Sequence, residues 1–353
     1  MPKFHAQRSL RAFRFRYFAF CLQPSINLVE PSTCYIFDIL HLYGKRIERP
    51  CKLNGMTSPV FHPFIRCLMN ALSGLSLTHL GHTTRLKWHR LRRYDGDPLF
   101  SPEVMTEGFR VGASMEIDLR VRADGGFAVL HDDVLEGETT GSGPVHRMQA
   151  AELHLQRMKE NGRAITLSED LAVMLVAAHP DALLQFDMKD DFATVGERGV
   201  EHLSHHFRDV GQQIIVSGAD LELILAIKRR LPDLKRGIDP TDKLLEICRD
   251  AGLAAVEREL VADLDGPTEP ETIYLAWQLV LQAARGGLDL IGLCHDKGKR
   301  VDAWTYNLDN PQAGFAEEEW QEFSSLMALR PDQITTDVAP AIERAWLRRV
   351  EAG

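Results

Sequence analysis

The sequence predicts an α/β protein whose core is a closed (β/α)8, or TIM, barrel preceded by an N-terminal extension, and three observations lead there. From about residue 84 onward, eight short apolar runs alternate with segments of helical periodicity. The pattern extends over roughly 250 residues, the usual length of one such barrel. Strands that alternate with helices are parallel and joined by crossovers, and eight such units close on themselves. An open doubly wound sheet is the alternative topology, although no G-x-G-x-x-G follows the first strand.

The runs read as strands are residues 85–88, 114–121, 183–188, 213–216, 234–238, 254–257, 301–305 and 333–336. Helical spacing is read over 168–178, 192–208, 219–231, 241–251, 271–286 and 316–329, with Pro180, Pro232 and Pro331 at or just past helix ends.

Ahead of the barrel the composition differs. Residues 1–55 hold nine Lys/Arg against three Asp/Glu in a chain of net charge -9. No acidic residue precedes Glu30, a bias shared by organellar transit segments and membrane-surface helices. The readings left open are a solvated extension and a true start at Met56; residues 1–80 are assigned to the extension and 81–353 to the barrel domain. The net acidity argues against nucleic acid as a partner. Six widely spaced cysteines without a C-x-x-C pair suggest free thiols in a reducing, cytoplasmic setting rather than a zinc site or a disulfide framework. No apolar run reaches the 18 residues of a membrane span.

The chemistry lies in the strand patterns. Glu116 and Asp118 stand two apart in 114–121, so a strand puts both on one face and Met115, Ile117 and Leu119 on the other. A sheet covered on both faces tolerates such a pair only if it is compensated by cations. Asp187 and Lys189 repeat the spacing in the next strand, alternating with Phe186 and Met188. Three carboxylates suit a hard cation, Mg²⁺ or Ca²⁺, better than zinc, while Lys189 balances charge and meets an anionic substrate. The turn at Ala123-Asp124-Gly125-Gly126 leads a hairpin-like return that brings His131 back toward the acidic pair as a proton carrier.

The ordered set Trp88-His89-Arg90, Gly112 to Leu119, Asp124-Gly125 with Leu130-His131-Asp132, Thr139-Thr140-Gly141, Phe186-Asp187-Met188-Lys189, Ile215-Val216-Ser217, Ala303-Trp304-Thr305-Tyr306-Asn307 and Ile334-Thr335-Thr336-Asp337 resembles the glycerophosphodiester phosphodiesterase family over about residues 84–340. The resemblance implies Glu116, Asp118 and Asp187 as metal ligands, His89 and His131 as the acid-base pair, Arg90 and Lys189 as phosphate holders, and Trp304 as an apolar wall. It implies a small phosphodiester substrate, cleaved to glycerol 3-phosphate and an alcohol with water or the adjacent glycerol hydroxyl as nucleophile. Three departures stand out. His89-Arg90-Leu91 replaces His-Arg-Gly, Pro102-Glu103-Val104-Met105 replaces Pro-Glu-Asn-Thr, and Asp187 replaces a glutamate. Rival functions are a lysophospholipase D- or sphingomyelinase D-like enzyme, a sugar-phosphodiester enzyme, and a catalytically idle barrel that binds a phosphorylated ligand.

Overall fold

The computed structural model describes residues 73–352. The basic N-terminal segment, Met56, and Cys21, Cys34, Cys51 and Cys67 lie outside the described residues. Cys248 and Cys294 are free thiols.

Eight parallel strands form a closed barrel: β2 (His82–Trp88), β3 (Ser114–Val121), β5 (Leu183–Met188), β6 (Ile214–Gly218), β7 (Lys235–Ile238), β8 (Thr272–Ala276), β9 (Arg300–Trp304) and β10 (Gln333–Thr336). Each pairs with the next in that order, and β10 returns to β2. The open-sheet alternative is thereby set aside. Two antiparallel strands are appended: β1 (Ser76–His79) on β2, in a hairpin that straddles residue 80, and β4 (Phe127–Val129) on β3, which is the expected return after the Asp124-Gly125 turn. Gly125 sits there at φ +84°, a conformation that side chains other than glycine rarely adopt.

One strand is misplaced by the sequence reading. Residues 254–257 lie in a helix, Leu253–Leu264, because Val256, Leu260 and Leu264 are buried at four-residue intervals and two alanines open it. The sixth strand position belongs to β8, inside the segment expected to be helical. Thr272-Ile273-Tyr274-Leu275-Ala276 is buried at every position, and a helix, Trp277–Arg285, starts at once without an intervening loop, so the two periodicities merge.

Alternation along the strands separates two compartments. Leu86, Trp88, Met115, Ile117, Leu119, Phe186, Val216, Ile273 and Ile334 are buried in the apolar core. The other parity fills the barrel with polar groups. Lys87, only 2 % exposed, pairs with Asp302 at 2.7 Å, bonds to Gln185 and lies over the Tyr274 ring. Thr335 Oγ1 donates to Asp302 at 2.7 Å, Gln185 to Ser217 at 2.8 Å, and Ser114 to Gln333 at 3.1 Å. This plug is the floor on which the strand ends present their side chains. No helix among the described residues is long and apolar enough to cross a membrane.

The placement of β8 is testable. Ile273→Ala removes a fully buried side chain from the barrel wall and is expected to cost about 2–5 kcal/mol in a urea unfolding titration. A cost below about 1 kcal/mol would place Ile273 outside the core.

Candidate functional site

Register brings the acidic residues together. Asp118 on β3 is the lateral partner of Asp187 on β5, and Glu116 is that of Gln185. One ligand atom each from Glu116, Asp118 and Asp187 falls within 4.8 Å of the other two. Glu116 and Asp118 are buried, at 4 % and 1 % exposure, so the acidic strand is interior and not a solvated edge.

Their charges interact strongly. Burial, then repulsion from Asp118 and Asp187, pushes the Glu116 carboxyl well above the ordinary range. Burial acts the same way on Asp118, but Lys189 and Arg90 outweigh it and hold Asp118 low. Lys189 Nζ lies 2.8 Å from Asp118 and 2.5 Å from Asp187; although burial opposes it, those two carboxylates hold its pKa above the usual lysine range. Arg90 Nε stands 3.1 Å from Asp118, and its backbone N–H donates to Glu116 Oε2 at 2.8 Å.

The chain around Arg90 bends without the glycine. His89–Leu91 is a single turn with Arg90 at φ 50° and Leu91 at φ 61°. The left-handed region is natural for glycine and costs another residue about 1–2 kcal/mol. Leu91 is held there by complete burial of its side chain. Packing thus holds a left-handed turn here without a glycine.

The two histidines have different supports. His89 Nδ1 is 3.0 Å from Asp337 Oδ1. Asp337 also accepts from Asn307 Nδ2 at 2.6 Å, and Asn307 Oδ1 accepts from Thr336 Oγ1 and from the Asp337 N–H. Burial works against ionisation of Asp337 but is outweighed by the bond and charge of His89 and by Asn307, so its carboxyl is held low. His131 Nδ1 meets Asp132 Oδ1 at 3.0 Å. The backbone N–H groups of His131 and Asp132 donate to Glu138, fixing the loop. Arg120, third in the alternation Glu116-Asp118-Arg120, ties the two halves together: it donates to the carbonyls of His131 and Lys189 at 2.8 and 2.9 Å and to Asp190 at 2.9 Å.

His89, Arg90, Glu116, His131, Asp187, Lys189 and Trp304 line one cavity of about 330 Å³ at the C-terminal ends of the strands, the end where barrels of this kind carry their sites. Asp118 lies beneath it, against Arg90 and Lys189. Every residue singled out from the sequence is therefore in or under a single pocket. A larger cavity of about 480 Å³ opens at the opposite end of the strands, around Arg85, Lys235 and Arg300, remote from these groups.

Sequence reasoning missed Lys87, Asp239 and Tyr274 in the same lining and Arg120 behind it, and gave no role to Thr305, Thr335, Asn307 and Asp337, which stood only as motif residues. A signal existed for two of them. Lys87 precedes His89, and Arg120 follows Asp118, at strand spacing. Asp239, just past β7, carries no motif.

The residues fit a divalent cation. Both Asp118 oxygens are buried, and neither makes a hydrogen bond of good geometry, although Arg90 and Lys189 stand at ion-pair distance. Ion-paired to those two groups, the carboxylate still retains lone pairs for a cation. Oxygen donors from three acids match Mg²⁺ or Ca²⁺.

Residues 103–339 match the model of the Glycerophosphoryl diester phosphodiesterase family. No curated relative matches by sequence. Among solved structures, a glycerophosphodiester phosphodiesterase from Parabacteroides distasonis aligns with a TM-score of 0.56 at 14 % identity, covering 76 % of this chain and 98 % of its own. A phosphodiesterase from Oleispira antarctica, solved with the product sn-glycerol-3-phosphate, aligns at 0.53 and 16 % identity, covering 74 % and 96 %. The enzyme from Thermotoga maritima gives 0.51 and 15 %, covering 77 % and 100 %. At such identities the likeness is one of fold.

Asp239 offers a test of the site's electrostatics. Burial, with Asp187 and Asp242 adding repulsion, raises its pKa to about 6, although the Thr241 hydrogen bonds act against the rise. A raised folded-state pKa means that its contribution is fully present below the unfolded value near 4 and is lost as pH climbs through about 6. Wild-type stability, followed by urea unfolding from pH 4 to 7, should therefore fall more steeply than that of Asp239→Asn. Parallel pH profiles would show that Asp239 titrates normally.

Proposed function

The chain belongs to the glycerophosphoryl diester phosphodiesterase family, and from that membership and the geometry of the pocket we propose that it hydrolyses a glycerophosphodiester to glycerol 3-phosphate and an alcohol, dependent on Mg²⁺ or Ca²⁺ and on acid-base catalysis by His89 and His131. The observation that carries the reading is the convergence of three carboxylates, two imidazoles and the cations Arg90 and Lys189 at one barrel mouth.

Glu116, Asp118 and Asp187 would hold the cation, which when bound supplies Lewis-acid polarisation of a phosphoryl oxygen. Arg90 and Lys189 bind the phosphate and neutralise charge that accumulates on its oxygens in the transition state. His89 donates its Nδ1 proton to Asp337, which fixes the ring and leaves Nε2 to accept the proton of the nucleophile, water or the adjacent glycerol hydroxyl. His131 protonates the leaving alkoxide. With water as nucleophile, one P–O bond forms, one breaks, and the proton taken at His89 is matched by the one delivered at His131.

Trp304 forms an apolar wall shared with a second cavity of about 460 Å³, lined also by Asp187, Lys189, Asp239, Asp242 and Lys243. This neighbouring space receives the leaving alcohol. The chain's division into an N-terminal extension and a barrel domain remains part of the proposal, with the boundary moved ahead of β1 because that strand pairs with β2. A cytoplasmic location accompanies it, in keeping with the free thiols of Cys248 and Cys294.

Product analysis separates the rival activities. Glycerophosphocholine should yield glycerol 3-phosphate, whereas release of choline from lysophosphatidylcholine or sphingomyelin in its place would favour the lipid-directed reading, and no metal-dependent turnover on a phosphodiester panel would favour an idle barrel. The acid-base role is read in His131→Ala. Its kcat should fall roughly 10²- to 10⁴-fold, with folding and metal affinity little changed. A well-folded variant with wild-type turnover would remove His131 from the mechanism.

A further inference from the structure

Outside the barrel, and sharing no residue with the pocket, a second cluster of ligating side chains is assembled. His202 and His206 are four residues apart on the helix Phe192–Phe207, so both project from one face, with ring centroids 4.4 Å apart. Glu169 comes from the first turn of the neighbouring helix, Ser168–Leu175. One ligand atom from each of the three lies within 4.8 Å of the other two. None of them lines the cavity that holds Glu116 and His131.

From this geometry we infer a transition-metal site of the Zn²⁺ class on the outer face of the barrel, with Glu169, His202 and His206 as its three protein ligands. The donor set differs in kind from the acidic pocket. Two imidazoles and one carboxylate select zinc, nickel, copper or cobalt over Mg²⁺ and Ca²⁺, and three protein ligands leave a fourth position for water. Tetrahedral zinc with bonds near 2.0–2.1 Å places its ligands about 3.4 Å apart. Closing from the present separations takes side-chain rotation of about an ångström, within reach of half-buried groups.

The surroundings match a metal's outer shell. Arg122 donates to both oxygens of Glu169, at 3.0 and 2.7 Å, and orients the carboxylate as second-layer donors orient ligating carboxylates. Arg122 is itself anchored to Asp124 at 2.9 Å. His202 Nε2 faces Ser168 Oγ at 2.7 Å and Glu169 at 4.0 Å, so this nitrogen points into the cluster. A bound ion would join the two helices that flank β5, the strand of Asp187, to the turn after β3, the strand of Asp118. It would act as a brace and not in the reaction.

The test is isothermal titration of the metal-free, full-length protein with Zn²⁺, comparing wild type with His206→Ala and Glu169→Gln, each checked for folding by circular dichroism and for phosphodiesterase activity with saturating Mg²⁺. The expected result is one Zn²⁺ site in wild type whose affinity drops at least about tenfold in both variants, while activity with Mg²⁺ persists. Co²⁺ bound at the same site should give the visible spectrum of nitrogen ligation, lost in His206→Ala. If all three proteins titrate alike, or if Glu116→Gln abolishes the site instead, the proposal is overturned. Should His206→Ala misfold, Glu169→Gln decides the matter alone, since it keeps the shape of the side chain.

Discussion

The rest of the pocket depends on one electrostatic constraint: three carboxylates are held side by side at the mouth of a barrel where water cannot fully screen them. The β3–β5 register makes Asp118 and Asp187 lateral neighbours, and strand alternation adds Glu116 two residues away. Without compensation, burial of such charges costs several kcal/mol each. The protein's answer is partial. Lys189 and Arg90 keep Asp118 ionised, whereas Glu116 is driven toward its protonated form by burial and by its neighbours. A site left with more acid than base is one into which a divalent ion fits.

Geometry is kept by groups that do no chemistry. The Lys87–Asp302 pair with Gln185, Ser217 and Thr335 fills the barrel beneath the acids, so the strand ends rest on a hydrogen-bonded floor. Arg120 binds the backbones of His131 and Lys189 together. Asn307 and Asp337 play the same part for His89. These side chains in the pocket lining are thus held by partners from another strand or loop.

The acidic strand was legible in the sequence because alternation is a local property: Glu116 and Asp118 among Met115, Ile117 and Leu119 read as one face without knowledge of the fold. His131 was legible for a related reason, since a short glycine turn limits where the chain can return. What stayed hidden is tertiary. Asn307 and Asp337 were visible as motif residues, but their bond spans 30 positions and nothing local announces it. Asp239 becomes notable only when β7 is set beside β8 and its half-buried carboxyl is seen in the pocket lining. β8 was lost because its apolar run passes into a helix with no break, while 254–257 passed for a strand because four apolar-rich residues do not reveal a period. The sequence shows leucine at 91 where the resembled motif has glycine, but only the structure shows that leucine buried in a left-handed turn.

The most direct measurement is the thermal stability of wild type and Glu116→Gln at neutral pH, each with chelator and with millimolar Mg²⁺ or Ca²⁺. Glutamine keeps the shape and can still accept the Arg90 N–H, but it removes one of the three mutually repelling carboxyls. The expected result is a reversal of order. With chelator the variant melts at or above wild type, because an unfavourable buried acid is gone; with metal, wild type rises by the linkage that favours any ligand-binding folded state, and the variant rises much less. Equal metal responses in both proteins, or a variant clearly less stable in chelator, would contradict the claim that the carboxylate cluster is an electrostatic burden relieved by a divalent cation.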